Sequence, residues 1–309
     1  MQNAYLCTYM KHHFLHTISI LALLLIACSA CKGTNAPEQP TLTVSIEPQR
    51  YLLQQIAGDR WHINTLLSKG ADPENFDPAL TSLKSLQDSR AYFTVGTIPF
   101  EETLISRLKP DSTLRIINTS SGIHLIEGTH HSHEHEHEHG HTHDTDPHVW
   151  SSIKNARIMA RNMYQALIEL DTDNADTYTR NYLRLDADLD SLDRELTRTL
   201  SPAQGDAFLV WHPSLSYFAR DYSLHQIAMG MENKELSADA FRRHIDEVSG
   251  HNATIFFTQP EFDGNRSDNI VRQTGMKNIP VNTLTYDLPS ELRRIATSIT
   301  DAHQKANPI

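Results

Sequence analysis

Apolar and polar positions along this chain repeat with two different periods. Leu42-Thr43-Val44-Ser45-Ile46 alternates as a strand does, and is followed by Pro48 and a helical stretch from Tyr51-Leu52-Leu53 to Ile56. Strand-like runs recur at Trp61 to Leu67, Ala91 to Val95 and Leu114 to Ile117, with helical segments such as Glu101 to Leu108 between them. This alternation predicts an α/β lobe with a mostly parallel sheet. A second set, Ala207 to Trp211, Gln226 to Met229, Thr254 to Thr258 and Pro280 to Thr283, is separated by helical patterns such as Phe241 to Val248 and Asn269 to Thr274, and predicts a second lobe. Between the two, Tyr178, Tyr182, Leu185, Leu189, Leu192, Leu196 and Leu200 fall at intervals of 4, 3, 4, 3, 4 and 4, a helical stripe with charges on the other faces. No Pro or Gly interrupts residues 174–200, so one helix of roughly 40 Å is expected there at ~1.5 Å per residue. The predicted class is α/β, with two mostly parallel lobes, 41–171 and 201–309, joined by a rigid spine helix over 172–200.

The N-terminus follows a different pattern. Lys11 precedes an apolar run from Ile18 to Ala27, too short to span a bilayer with water-soluble flanks, as in a secretory signal over 1–27. Leu25-Ile26-Ala27-Cys28 resembles the lipobox of bacterial lipoproteins, in which the cysteine is acylated and becomes the first mature residue; Cys31 is a weaker second candidate. Residues 28–40, with Gly33, Pro37 and Pro40, read as a tether. Cys7 leaves with the signal and Cys28 carries lipid, so Cys31 alone remains as a thiol and no internal disulfide can form. A metal site must then be built from His, Asp and Glu. The expected location is outside the cytoplasm, membrane-anchored, facing the periplasm or cell exterior.

Charge narrows the partners. The 309 residues carry 27 Lys and Arg against 38 Asp and Glu, a formal net charge of −11. Such a chain has no basic field for phosphates, which argues against nucleic acid and in favour of cations. Nineteen histidines are present, and His130, His131, His133, His135, His137, His139, His141 and His143 crowd into the segment 129–144, interleaved with Glu134, Glu136 and Glu138. This low-complexity, polar stretch reads as a surface loop whose imidazoles suit zinc, copper or nickel, bound labilely because a floppy ligand set must be ordered for each ion. Its literal match to H-E-x-x-H at His133 to His137 carries no weight, since that motif needs a stable helix and here the repeat itself generates it.

Single residues at element junctions carry more information. Asp72-Pro73-Glu74-Asn75-Phe76-Asp77-Pro78 follows a strand and is rich in turn chemistry. His148 stands in Asp146-Pro147-His148-Val149-Trp150 directly after the loop, and His212 ends a buried strand before an aromatic helix face, Tyr217-Phe218 and Tyr222. Asp287, in Thr285-Tyr286-Asp287-Leu288-Pro289, ends the last strand in this reading. Ligands of α/β sheets bind beyond the carboxyl ends of the strands, so these positions could converge. Taken singly, His212 could equally be a satisfied core histidine, and Asp72, Asp77 and Asp287 turn or cap residues.

Together these motifs resemble the substrate-binding proteins of metal ABC importers, particularly the zinc-specific, high-affinity uptake branch. There the segments read approximately G-x-D-P-H-x-Y-x-P, D-P-H-x-W, a strand ending in H before a Y-F helix, and an Asp after the last strand. The resemblance covers residues 41–305 in order. It implies a metal site between the lobes, with His148, His212 and Asp287 as ligands and Glu74 where the family has its first histidine. Two imidazoles and two carboxylates neutralise a divalent ion, whereas three imidazoles and one carboxylate leave it at +1. The harder set also suits manganese, while His212 and the histidine-rich loop favour zinc. The resemblance implies a lipid-anchored, non-catalytic receptor that captures Zn2+, with Mn2+ as a possible alternative, and hands it to a membrane permease driven by an ATPase. The competing functions are a manganese or iron receptor of the same class, a zinc-dependent hydrolase using His148 and His212 with Glu74 as general base, and an adhesin or metal store dominated by the loop.

Overall fold

The computed structural model describes residues 39–108, 113–127, 145–229, 253, 255–259 and 267–308. The expected signal 1–27, Cys28, nearly all of the tether 28–40, the histidine-rich segment 129–144 and the helix expected at 241–248 lie outside the described residues.

Two four-stranded, wholly parallel sheets form the framework. The first contains β1 (Thr41–Val44), β2 (His62–Thr65), β3 (Ala91–Thr94) and β4 (Arg115–Asn118), in the order β2-β1-β3-β4. The second contains β5 (Ala207–Val210), β6 (His225–Ala228), β7 (Ile255–Thr258) and β8 (Lys277–Pro280), in the order β6-β5-β7-β8. In β1 the alternate polar residue is not solvated. Thr43 is buried with Leu42 and Val44, its hydroxyl 2.6 Å from that of Ser89, because a parallel sheet is covered on both faces. The last strand is three residues earlier than the sequence pattern suggests. It is an edge strand on which only Ile279 is buried, so its apolar signal is weak and Val281 beyond it is the stronger one.

Helices α1 (Glu47–Ala57), α2 (Leu80–Gln87) and α3 (Pro99–Ser106) alternate with the first strands, and α4 (Ile153–Leu170) follows them. The spine helix α5 spans Ala175–Leu200, 26 residues, or about 39 Å. Its stripe of Tyr178, Leu185, Leu189, Leu192, Leu196 and Leu200 is buried, while Tyr182 is half-buried and stacks on Tyr164 of α4, ring centroids 4.6 Å apart. Arg157 of α4 grips the spine through Asp186, at 2.7 and 3.0 Å, and Asp190, at 2.7 Å. The second sheet is accompanied by α6 (Ser216–Asp221), α7 (Ser267–Thr274) and α8 (Leu288–Ala306). One continuous apolar core runs through the first sheet, the spine, α6 and α8. No described helix is long and apolar enough to cross a membrane.

Candidate metal centre

Every strand is parallel within its sheet, so each sheet presents its carboxyl ends on one side, and the loops that leave those ends carry the polar chemistry. Glu74 lies in the loop after β2. Asp72 shapes that loop, its carboxylate accepting from Glu74 N at 2.8 Å and from Asn75 Nδ2 at 2.6 Å, and Phe76 packs edge-on against Phe100. His148 lies in the loop that follows β4, and His212 in the loop after β5. The buried side chain of Gln259, at the end of β7, fixes the backbone of His212: it accepts from His212 N at 3.1 Å and donates to His212 O at 2.9 Å.

The three side chains converge. His148 Nε2 and His212 Nε2 are 3.0 Å apart, and Glu74 Oε1 is 3.6 Å from the first and 3.5 Å from the second. Ligands at ~2.0–2.1 Å from a tetrahedral zinc ion stand about 3.3 Å from one another, so this triangle has the dimensions of one face of such a site. Among the described residues it is the one cluster of three or more His, Cys, Asp or Glu side chains close enough to share an ion. Both histidines are buried, 2% and 6% exposed.

Asp146 decides which nitrogen His148 offers. Its Oδ1 lies 2.9 Å from His148 Nδ1 and also accepts from His148 N at 2.8 Å. A proton on Nδ1 leaves the Nε2 lone pair facing His212 and Glu74, the arrangement in which a carboxylate orients a metal-binding imidazole. Burial opposes ionisation of Asp146, but hydrogen bonds from His148 and the His148 charge outweigh it and hold the carboxyl below its ordinary range. Glu74 behaves alike: burial opposes its charge, yet the hydrogen bond from His212 and the fields of both histidines keep the carboxyl low. Both acids are therefore anionic near neutral pH, suited to a cation.

Asp287 is not part of this triangle. It is the exposed N-cap of α8, accepting from Ser290 N at 3.2 Å, and stands beyond β8 by a turn segment instead of at its end. Its helix nevertheless starts close to the site, because Leu288 and Pro289 line a small apolar cavity with Tyr51, Leu189 and Trp150, two residues past His148. Three residues of the site escaped the sequence reading as participants: Asp146, whose i,i+2 spacing to His148 was the available signal, and Gln259 and Tyr217, whose partners are remote in sequence. The eight loop histidines and Cys28 lie outside the described residues.

Two parallel-sheet halves braced by one long helix, with three ligand-type side chains facing one another at the carboxyl ends of their strands, define a two-lobed protein fitted to hold a cation. The chain belongs to the family described as zinc-uptake complex component A, periplasmic, whose model matches residues 42–302. The high-affinity zinc uptake system proteins ZnuA of Bacillus subtilis and Paracoccus denitrificans are 27% and 29% identical to it. The first alignment covers 87% of this chain and 88% of the relative, the second 77% and 82%. A crystal structure of ZnuA superposes with a TM-score of 0.77 at 31% identity, covering 86% of this chain and all of that one. A ZnuA deletion mutant of residues 138-173, solved with zinc bound, gives 0.76 at 32%, covering 86% of this chain and 98% of that one. The chain is thus an extracytoplasmic metal-capturing component that works with the permease and ATPase of an ABC importer, and not an enzyme.

Proposed function

We propose that the captured ion is zinc and that Glu74, His148 and His212 hold it. The carrying observation is the triangle of Nε2, Nε2 and Oε1 with His148 oriented by Asp146. Two neutral imidazoles and one carboxylate leave a divalent ion at +1, and Asp287 is the remaining carboxylate proposed to complete the set. In this reading lobes 41–171 and 201–309 supply ligands from opposite sides, and the spine, 172–200, limits their relative motion to a small tilt. The chain is anchored through lipid on Cys28, and His130, His131, His133, His135, His137, His139, His141 and His143 form an auxiliary, labile collecting segment.

Zinc titration against a chromophoric chelator, with native mass spectrometry for stoichiometry and manganese as competitor, tests the site. One tight zinc ion that survives deletion of residues 130–143 and is lost in Glu74→Ala and His212→Ala supports it. Tight binding that disappears with the deletion sinks it. For Asp287, the asparagine variant keeps a capping oxygen but loses the charge: weaker zinc binding with unchanged metal-free stability is expected of a ligand. The alanine variant alone should also lose about 0.5–2 kcal/mol of stability with the cap.

A further inference from the structure

The two histidines come from different halves of the molecule, so something must set the distance between them before an ion arrives. Helix α6 begins four residues after His212 and lies against the segment that carries His148. Tyr217, fully buried, donates from its hydroxyl to Asp146 O at 2.8 Å and accepts from Ile126 N at 3.2 Å. Those two backbone groups belong to neighbouring strands of chain, since Asp146 N also donates to Ile126 O at 3.0 Å and Glu127 pairs with Thr145. Arg220 covers the Tyr217 ring, 5.0 Å from its centroid, and donates to His124 O at 3.0 Å. On the other side of His148, Ser152, the N-cap of α4, donates to the carboxylate of Asp221, whose side chain is 4% exposed. Lys154 Nζ reaches Asp221 O at 3.3 Å.

We infer that Tyr217 and Asp221 are positioning residues for the metal: α6 is a clasp that fixes the separation of His148 and His212. His148 is bracketed by Asp146 and Ser152, and both are hydrogen-bonded to α6. The Tyr217–Asp146 and Asp221–Ser152 bonds therefore run beside the His148–His212 gap as two extra rungs across the same junction. Any tilt that parts the imidazoles must lengthen these rungs as well, so the clasp resists ion escape without touching the ion. Tyr217 also ties the metal-orienting Asp146 to the Glu127–Thr145 bridge. This inference rests on the proposed ligand set.

The test uses the full chain loaded with one equivalent of zinc and follows transfer of the ion to excess chelator. Tyr217→Phe and Asp221→Asn are each expected to speed dissociation roughly 2- to 10-fold, the worth of one hydrogen bond, with association little changed and one ion still bound. In a background carrying both His212→Ala and Asp287→Asn, where no proposed ligand of the second lobe remains and the ion no longer spans the junction, adding Tyr217→Phe should change the rate of weak zinc loss no further. Wild-type dissociation rates in both folded single variants, or the same factor in both backgrounds, overturns the clasp. If wild type holds no tight zinc, or holds it as well after His148→Ala, the ligand assignment fails instead.

Discussion

In the proposed site, a carboxylate that does not touch the ion should control how well it is held. Because Asp146 accepts the Nδ1 proton of His148, Asp146→Ala frees the ring to rotate and to exchange tautomers. Zinc affinity should fall about 10- to 100-fold, measured by chelator competition, with the far-UV circular dichroism unchanged. Glu101 presents the opposite chemistry. It is 2% exposed and accepts from Val95 N and Gly96 N at 2.6 and 2.7 Å and from Ser45 Oγ, holding the turn after β3 whose Thr97 donates to Pro147 O beside the site. Burial pushes its pKa up to about 7, against these hydrogen bonds. The folded chain therefore binds a proton that the unfolded chain has lost between the ordinary value of 4.5 and about 7. Stability contributed by this group is fully present below that window and declines as pH rises through it, by about 3 kcal/mol in all. Urea unfolding of the metal-free chain at pH 5 and pH 8 should show this loss in wild type, and Glu101→Gln should remove that part of the difference.

Among elements, the spine was the most legible in sequence because its stripe is long, free of Gly and Pro, and apolar at helical spacing. Its energetic weight follows from the same residues: Leu192, 1% exposed, should cost about 2–5 kcal/mol on truncation to alanine, read as a lower urea midpoint with an unchanged slope. The central strands β1, β3, β5 and β7 were legible because they are buried almost throughout and therefore mostly apolar, whereas the edge strands β2, β4 and β6 were legible from the few apolar residues each keeps, such as Ile63, Ile116 with Ile117, and Ile227. Strand β8 was misplaced because Ile279 is its one buried residue and the buried Val281 just beyond it draws the pattern forward, and Asp287 was assigned to its end for the same reason, although Asp-Leu-Pro-Ser is also a helix start with proline in the first turn. Of the site, His148 and His212 could be singled out by their junctions. Their supports could not, since Tyr217 meets Asp146 across 71 residues and Gln259 meets His212 across 47, and local pattern carries no information about such pairings.

For the whole molecule, an ion held by residues from both sheets must stabilise the native state as a unit. Saturating zinc should raise the unfolding free energy by about 4 kcal/mol at a thousandfold excess over Kd, and His212→Ala should abolish the rise while leaving the metal-free midpoint close to wild type. A differential scanning calorimetry series over zinc concentration checks this, and a zinc effect retained in His212→Ala would place the ion elsewhere. With the spine packed along both halves, small-angle scattering should record nearly the same radius of gyration with and without zinc; a wide opening would contradict a rigid connector.

The pairing of Glu127 with Thr145 has a consequence for how such a molecule can vary. Residues 127 and 145 are held side by side, so the number and kind of residues that join them can change without altering the distance to be closed. Each doubling of the joining length adds only about 0.6 kcal/mol of closure entropy. That fixed pair behaves as a splice port: an acidic, a histidine-rich or a foreign tag sequence placed between its members has the same two ends to meet, and the two sheets stay as they are.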